Sequence, residues 1–259
     1  MKTESAVPAE IPDEILFKQP ESSHLGDCPI CFLPLPLAAN KSTVLVCCCK
    51  RVCYGCAHQN AVREINDKLK QRCPFCRKEV SKSPKDTYKD LMKRAQANDP
   101  VAMREVAMKR DHAGDDATAL TWYKKAAKSG DAGAHYNLGV MFKDGQGVER
   151  NRRMEIYHYQ EAAVRGHHMA RHNLGCYEGL YGRYDRAVKH FLIGARLGDD
   201  NAIQRLKKCY KDGHVSKEEF AAALRAYQAA FEATRSPQRV AVEDYFAKKY
   251  STQWKDIQR

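Results

Sequence analysis

Residues 131–166 read DAGAHYNLGVMFKDGQGVERNRRMEIYHYQEAAVRG, and three similar stretches occur elsewhere in the 259-residue chain. The four copies begin at residues 99, 131, 167 and 199, so the first three are 32, 36 and 32 residues long. A repeat of this length is typical of stacked helical hairpins, since one hairpin cannot bury its apolar face alone. The sequence therefore predicts a mostly α fold in which about half of the chain is an α/α helical-repeat solenoid.

Small and apolar residues recur at the same offsets in each copy. An alanine near the start is followed four residues later by an apolar residue, which places the pair on one helix face. An aromatic residue marks the second helix, where we expect it to fill the core, and a glycine suited to a helix C-terminus ends the first three copies. The recurring residues are Ala102, Ala134, Ala170 and Ala202; Val106, Leu138, Leu174 and Leu206; Tyr123, Tyr159, Phe191 and Tyr227; and Gly130, Gly166 and Gly198.

Two of the copies carry recognisable motifs, an LG…GxGV pattern in copy 2 and a WYxKAAxxG pattern in copy 1. The residues of these motifs are Leu138, Gly139, Gly145, Gly147 and Val148, and Trp122, Tyr123, Lys125, Ala126, Ala127 and Gly130. They resemble the Sel-one-like repeat family, a relative of the tetratricopeptide repeats. The resemblance implies four such repeats over residues 99–235 and an interaction scaffold that recruits protein substrates or partners.

Three segments flank these regions. Residues 1–26 are acidic and interrupted by prolines, which predicts a disordered tail, although the EILF stretch at 14–17 could be a short docking segment. Residues 81–98 carry a serine cap followed by proline, which predicts a linker helix. Residues 236–259 begin with the same signal and predict a capping helix on the open end of the solenoid.

Nine of the eleven cysteines lie between Cys28 and Cys76. The N-terminus lacks a basic start followed by an apolar core, so we expect no secretory signal and a cytoplasmic or nuclear protein. Disulfides are rare in such reducing compartments, and a dense cysteine cluster there indicates a metal site. Three CxxC pairs and a fourth pair within a CCC run supply eight tetrahedral ligands, which predicts two Zn²⁺ ions.

The order of these pairs resembles a RING finger. Fifteen residues separate Cys31 from Cys47, sixteen separate Cys56 from Cys73, and the third pair follows the CCC run almost directly. The resemblance implies a cross-braced zinc domain over residues 27–80, in an all-cysteine variant. PHD and FYVE fingers fit less well, because their histidine, tryptophan and basic motifs are absent. The implied ligands are Cys28, Cys31, Cys53 and Cys56 for site one, and Cys73, Cys76 and two of Cys47, Cys48 and Cys49 for site two.

One cysteine of the CCC run is then surplus. The resemblance favours Cys47 and Cys48 as ligands and puts Cys49 in a position usually held by glycine or serine. The alternative is a CxC pair of Cys47 and Cys49, whose alternating side chains avoid crowding. The spare thiol is a candidate for oxidation.

The same resemblance implies a ubiquitin-protein ligase that binds a ubiquitin-conjugating enzyme through Ile30, Pro74 and Arg77, without a covalent intermediate. Asn60 stands about where many such ligases carry a bulky residue, and Val62, Ile65 and Leu69 could serve instead or could be packing residues. The alternative function is a non-catalytic, zinc-containing interaction scaffold.

Charge and hydropathy exclude other classes of partner. The formal charge of +12 falls to about +8 if eight thiolates hold two zinc ions, and the excess is spread along the chain. Without a concentrated basic tract, we do not expect nucleic-acid binding. We also expect no membrane insertion, because the chain lacks a run of about 18 apolar residues. Histidines 167, 168 and 172 are expected to be a chance surface cluster.

Overall fold

The computed structural model describes residues 9–80 and 83–257, with side chains up to residue 247. This described part forms twelve α-helices and a two-stranded antiparallel sheet, and none of its helices is long and apolar enough to cross a membrane. The elements are α1 (Asp13–Leu16), β1 (Ser42–Leu45), β2 (Lys50–Cys53), α2 (Tyr54–Asn66), α3 (Pro84–Gln96), α4 (Pro100–Asp111), α5 (Asp116–Lys128), α6 (Ala132–Asp144), α7 (Arg152–Val164), α8 (His168–Leu180), α9 (Tyr184–Arg196), α10 (Asp200–Lys211), α11 (Lys217–Ala233) and α12 (Pro237–Ile257).

Helices α4 to α11 form four hairpins, one in each predicted copy, so the helical solenoid is confirmed. Each hairpin begins with a side chain that accepts a hydrogen bond from the first turn of its first helix, as when Asp131 accepts from the Ala134 amide at 2.7 Å. Such caps satisfy amides that have no partner within the helix. The glycines that end the first three copies all have positive φ, between 82° and 86°.

Two of the recurring aromatic residues, Tyr159 and Phe191, pack directly against a glycine in the first helix of their hairpin. A Cβ atom on Gly139 would lie 2.5 Å from Cε1 of Tyr159, and one on Gly175 would lie 2.6 Å from Cε1 of Phe191. Both rings are buried, at 3% and 4% exposure. The glycine in the first helix therefore makes room for the aromatic ring of the second, as the predicted core role requires.

Helix α3 is part of the solenoid's core and not only a linker. Its Leu91 and Ala95 are buried in one apolar cluster with Val106 and Tyr123 of the first repeat. The predicted helix and its serine cap are present, since Ser83 Oγ accepts from the Asp86 amide at 3.5 Å. Its apolar face is buried, so α3 extends the stack by one helix.

The prediction of a disordered tail is wrong for residues 9–26; residues 1–8 lie outside the described part. Leu16, in the one-turn helix α1, is 1% exposed and shares an apolar cluster with Tyr159 and Leu174 of the solenoid. The docking alternative for EILF therefore describes this segment correctly. The apolar side chains of Leu16, Ile11 and Phe17 provide the surface that is buried, which the acidic composition of the segment concealed.

Helix α12 packs on α2 of the cysteine-rich region, and not on the open end of the solenoid as the sequence led us to expect. The rings of His58 and Tyr245 lie 5.1 Å apart, and Lys41 forms a 2.8 Å salt bridge with Glu243. A Cβ atom on Gly55 would lie 2.9 Å from the backbone nitrogen of Arg239, so this glycine permits the close approach. The C-terminal helix thus returns the chain to its N-terminal region.

Candidate metal centres and an adjoining groove

Two clusters of four cysteines lie in residues 27–80, which we call the cysteine module. Site one consists of Cys28, Cys31, Cys53 and Cys56, and site two of Cys47, Cys48, Cys73 and Cys76. Within each cluster the sulfur atoms lie within 4.8 Å of one another. These are the groupings predicted with Cys47 and Cys48 as the middle pair, and they interleave along the chain: the first pair joins the third, and the second joins the fourth.

The donor sets fit zinc. A tetrahedral Zn²⁺ with Zn–S bonds of about 2.3 Å needs sulfur atoms about 3.8 Å apart. The Sγ atoms of Cys31 and Cys53 are 3.9 Å apart in site one, and those of Cys48 and Cys73 are 3.6 Å apart in site two. All eleven cysteines, which lie in the described part of the chain, are free thiols. The clusters could therefore each hold one metal ion.

The first and last CxxC pairs fold into the same hydrogen-bonded turn. In each, the amide after the second cysteine donates to the carbonyl of the first, and the first cysteine's amide donates to a carbonyl five residues on. The residue after the pair has positive φ, 57° at Phe32 and 60° at Arg77. The bonds are Phe32 N to Cys28 O (2.8 Å) and Cys28 N to Leu33 O (2.9 Å), and Arg77 N to Cys73 O (3.0 Å) and Cys73 N to Lys78 O (2.8 Å).

The electrostatics of the thiols also point to a cation. Burial raises the pKa of Cys28, but backbone amides that donate to its sulfur outweigh burial and lower the pKa to about 7. Burial and neighbouring thiols raise the pKa of Cys56 and Cys47 well above the usual range. Four adjacent thiolates repel one another, so full ionisation of a cluster requires a bound positive charge.

Cys49 lies outside both clusters. It follows Cys47 and Cys48 with φ of 54°, its amide donates to the Leu45 carbonyl at 2.7 Å, and its thiol donates to the Val46 carbonyl at 3.8 Å. The side chain is buried in the cluster that contains Leu91 and Ala95 of α3. Burial raises the pKa of this thiol to about 11, which argues against the predicted oxidation-sensitive role.

Arg239 of α12 is a partner of site one that the sequence did not reveal. Its guanidinium donates to Cys31 Sγ at 3.3 Å, and also to the carbonyls of Leu33 (3.2 Å), Pro34 (2.7 Å) and Thr234 (2.6 Å). The residue is 5% exposed. It stands 208 positions from Cys31 in the chain, and no local pattern marks it. A buried cation beside a cysteine sulfur stabilises the thiolate form of that cysteine.

The predicted contact residues for a conjugating enzyme are only partly brought together. Ile30 and Pro74 line one groove of about 360 Å³, together with Asn60 and Ala61 of α2. Ile30 is 37% exposed. Arg77 is exposed on the neighbouring turn and does not line the groove.

The apolar stripe after the third cysteine pair is exposed. Val62, Ile65 and Leu69 are 38%, 61% and 59% exposed, which disfavours the alternative that they are packing residues. None of the three lines the groove that contains Ile30, so the stripe does not replace the bulky contact residue within that groove. The groove presents Asn60, with no bulky side chain at this position.

A third cluster joins His24 to His167 and His168, with nitrogen atoms within 4.8 Å. The rings of His24 and His167 lie 4.1 Å apart at 31°, and those of His167 and His168 lie 5.6 Å apart at 8°. Metal bonds run in the plane of an imidazole, so near-parallel rings do not converge on one ion. Burial lowers the pKa of His24 to about 3 and that of His168 to about 4, which keeps the stack neutral. His172 instead contacts Cys176, at 3.4 Å.

Comparison with known proteins agrees with the helical part of the fold. The Sel1 repeat family model matches residues 102–131, 132–167 and 168–199. These residues form three Sel1 repeats. The cysteine module, α3 and most of the fourth hairpin lie outside the matched ranges.

The solved structures similar to the chain include two from bacteria. The Sel1 repeat protein from Oxalobacter formigenes is 26% identical, with a TM-score of 0.51 over 69% of this chain and 71% of that one. The protein c5321, a protective antigen of uropathogenic Escherichia coli strains with an SLR fold, is 23% identical, with a TM-score of 0.48 over 69% of this chain and 38% of that one. The first supports the repeat fold, and with it an interaction scaffold.

Proposed function

We propose that the chain is a RING-type ubiquitin-protein ligase that binds two Zn²⁺ ions and recruits a protein substrate through its Sel1 repeats. The observation that carries this proposal is the pair of interleaved four-cysteine clusters beside a groove lined by Ile30 and Pro74. The zinc ions would be held by Cys28, Cys31, Cys53 and Cys56, and by Cys47, Cys48, Cys73 and Cys76. Their contribution is structural, because four thiolates leave no open coordination position.

The groove suits a conjugating enzyme's apolar loop. Ile30 and Pro74 come from the two matching turns, so the same metal-supported backbone positions both. A ligase of this class forms no covalent intermediate and acts by holding the charged ubiquitin in a reactive pose. Arg77 lies exposed beside the groove, where its guanidinium can donate hydrogen bonds to both enzyme and ubiquitin.

The solenoid is attached to the module by a shared core. Cys49 packs in the cluster that contains Leu91 and Ala95, and the side chains of Lys78 and Asp90 form an ion pair between the last cysteine turn and α3. Thr87 and Asp90 of α3 also line the groove. A substrate held on the repeats would therefore be kept in a defined orientation to the bound conjugating enzyme.

The test is an autoubiquitination assay with a panel of conjugating enzymes, with zinc content measured on the same samples. We expect activity in the wild type, and a loss of about tenfold or more in Ile30→Ala and in Arg77→Ala, with two zinc ions retained. Ile65→Ala is the matched control, since Ile65 is exposed and apolar but lies outside the groove. An Ile30→Ala variant as active as Ile65→Ala would overturn the proposed docking site.

The second candidate function is a non-catalytic zinc-containing scaffold. The observation that favours it is Asn60, a small polar residue in the groove where a bulky contact is expected. A zinc-loaded wild type that neither transfers ubiquitin nor binds any conjugating enzyme of the panel would establish this alternative.

A further inference from the structure

The N-terminal residues 9–26, which we call the docked segment, lie against α7 of the second repeat and against α8 and α9 of the third. Leu16 and the partly buried Ile11 and Phe17 join an apolar cluster formed by α7 and α8. The ordered helix within the segment is a single turn of four residues. A short element of this kind has little stability of its own, so its structure depends on the surface beneath it.

Arg171 is the centre of that surface. It is fully buried, and its guanidinium donates to the main-chain carbonyls of Leu16 and of Lys18 (3.3 Å in the latter case). Burial lowers the pKa of this arginine to about 10. A buried cation that binds only carbonyls is costly unless those acceptors stay in place. The docked segment therefore satisfies a group that its removal would leave with water alone.

The residue of the second repeat that matches Arg171 has different hydrogen-bond partners. There His135 bonds to His158 (3.0 Å) and to the Ala127 carbonyl (3.1 Å), so its partners lie within the repeats. Arg171 and His190 occupy the matching positions of the third repeat. Arg171, however, donates to the main chain of the docked segment, which lies outside the repeats. Of these two repeats, the third is the one that presents donors to an extended peptide.

The side chains around Arg171 are complementary to the docked segment in charge and in aromatic contacts. Arg186 forms an ion pair with Asp13 and also bonds to Glu178 at 3.0 Å. The Phe17 ring lies 4.7 Å from the His190 ring and under the cations of Arg186 (4.9 Å) and Lys189 (5.4 Å). The surface thus recognises an acidic residue, a buried leucine and an aromatic ring at fixed spacing.

We propose that this surface is a peptide-binding site for partner proteins that carry an acidic residue followed, three and four positions later, by leucine and an aromatic residue. The docked segment, with Asp13, Leu16 and Phe17, occupies the site within the same chain. The proposal deepens the recruiting role given to the solenoid above and rests on it. A tethered occupant acts at an effective concentration on the order of mM, so a partner must bind more tightly than the segment to displace it.

The experiment measures binding of a fluorescent peptide of residues 10–21 by anisotropy. We expect weak binding to the wild-type full chain, and binding at least about tenfold tighter to full-length Leu16→Ala/Phe17→Ala, whose own segment no longer fills the site. Adding Arg186→Ala to this open variant should weaken binding several-fold. A peptide with alanine in place of both leucine and phenylalanine is the control and should not bind.

If the double substitution unfolds the solenoid, as circular dichroism would show, Asp13→Ala provides the second variant. Asp13 is largely exposed, so its loss weakens docking while leaving Leu16 in place. An open variant that stays helical and binds the peptide no better than the wild type overturns the proposal and makes the segment a fixed part of the fold. No ubiquitin is present in this experiment, so an inactive ligase would not change its result.

Discussion

The cysteine module and the solenoid reach a fixed structure by opposite means. The buried cluster of the module contains Leu35, Val52 and three cysteines, which is very little apolar surface for about 50 residues. The solenoid buries alanine, leucine and aromatic side chains along every helix pair. A chain segment with a small core needs cross-links, whereas a repeat array gains stability at each interface. The stability of the module should therefore depend on cross-linking through its cysteine clusters, and the stability of the solenoid on close packing.

Removal of the proposed zinc ions should produce the largest difference in stability between the two regions. We expect chelation, or Cys28→Ser, to unfold the module, because binding a structural Zn²⁺ contributes roughly 10–16 kcal/mol in small zinc domains. The solenoid should keep most of its helical circular dichroism. Limited proteolysis, read by mass spectrometry, should then cut within residues 27–80 first. A module that stays resistant after all zinc has been removed would contradict this dependence.

Overpacking one helical hairpin tests whether the stability of the solenoid depends on close packing. Gly139→Ala places a Cβ atom 2.5 Å from Cε1 of Tyr159, and such crowding costs about 1–3 kcal/mol. Gly179→Ala, in the first helix of the third hairpin, is the matched control, since the nearest atom to its Cβ outside its own helix would be the Ala187 Cβ, at 3.9 Å. We expect the control to be neutral or stabilising by up to about 1 kcal/mol. Urea unfolding followed by circular dichroism measures both; equal stabilities would contradict the close-packing account.

Loss of the contact between α12 and site one should have a smaller effect than loss of the metal, and the effect should be confined to site one. Arg239→Ala removes the donor to Cys31 Sγ and leaves the Leu33 and Pro34 carbonyls without it. Loss of such an outer partner lowers metal affinity by about 10- to 100-fold, and we expect this for the zinc ion proposed at site one. Lys41→Ala breaks only the exposed salt bridge to Glu243 and should change little. Competition with a chromophoric chelator distinguishes the two variants, and equal effects would make Arg239 a packing residue.

The sequence revealed what is periodic or regularly spaced. The repeat offsets located eight helices, and the spacing of cysteine pairs located both clusters, because a repeated physical requirement leaves a repeated pattern. The contact of Arg239 escaped notice, and the docking of Leu16 was only an alternative interpretation of the EILF stretch, because each contact joins segments more than 150 residues apart. Arg171 was missed for another reason: its matching positions hold Met103, His135 and Ile203, so nothing marks it as a binding residue.

The smallest expected effect concerns Cys49, where the two regions meet. Its φ of 54° costs a non-glycine residue about 1–2 kcal/mol, and its buried thiol returns part of that by packing against α3. Cys49→Gly should therefore change stability by less than about 1 kcal/mol and keep two zinc ions. Cys48→Ser, one position away, should lose the ion of site two, because Cys48 Sγ lies 3.6 Å from Cys73 Sγ. If the glycine variant lost zinc instead, Cys49 would be a ligand, and the boundary between module and solenoid would run through a metal site.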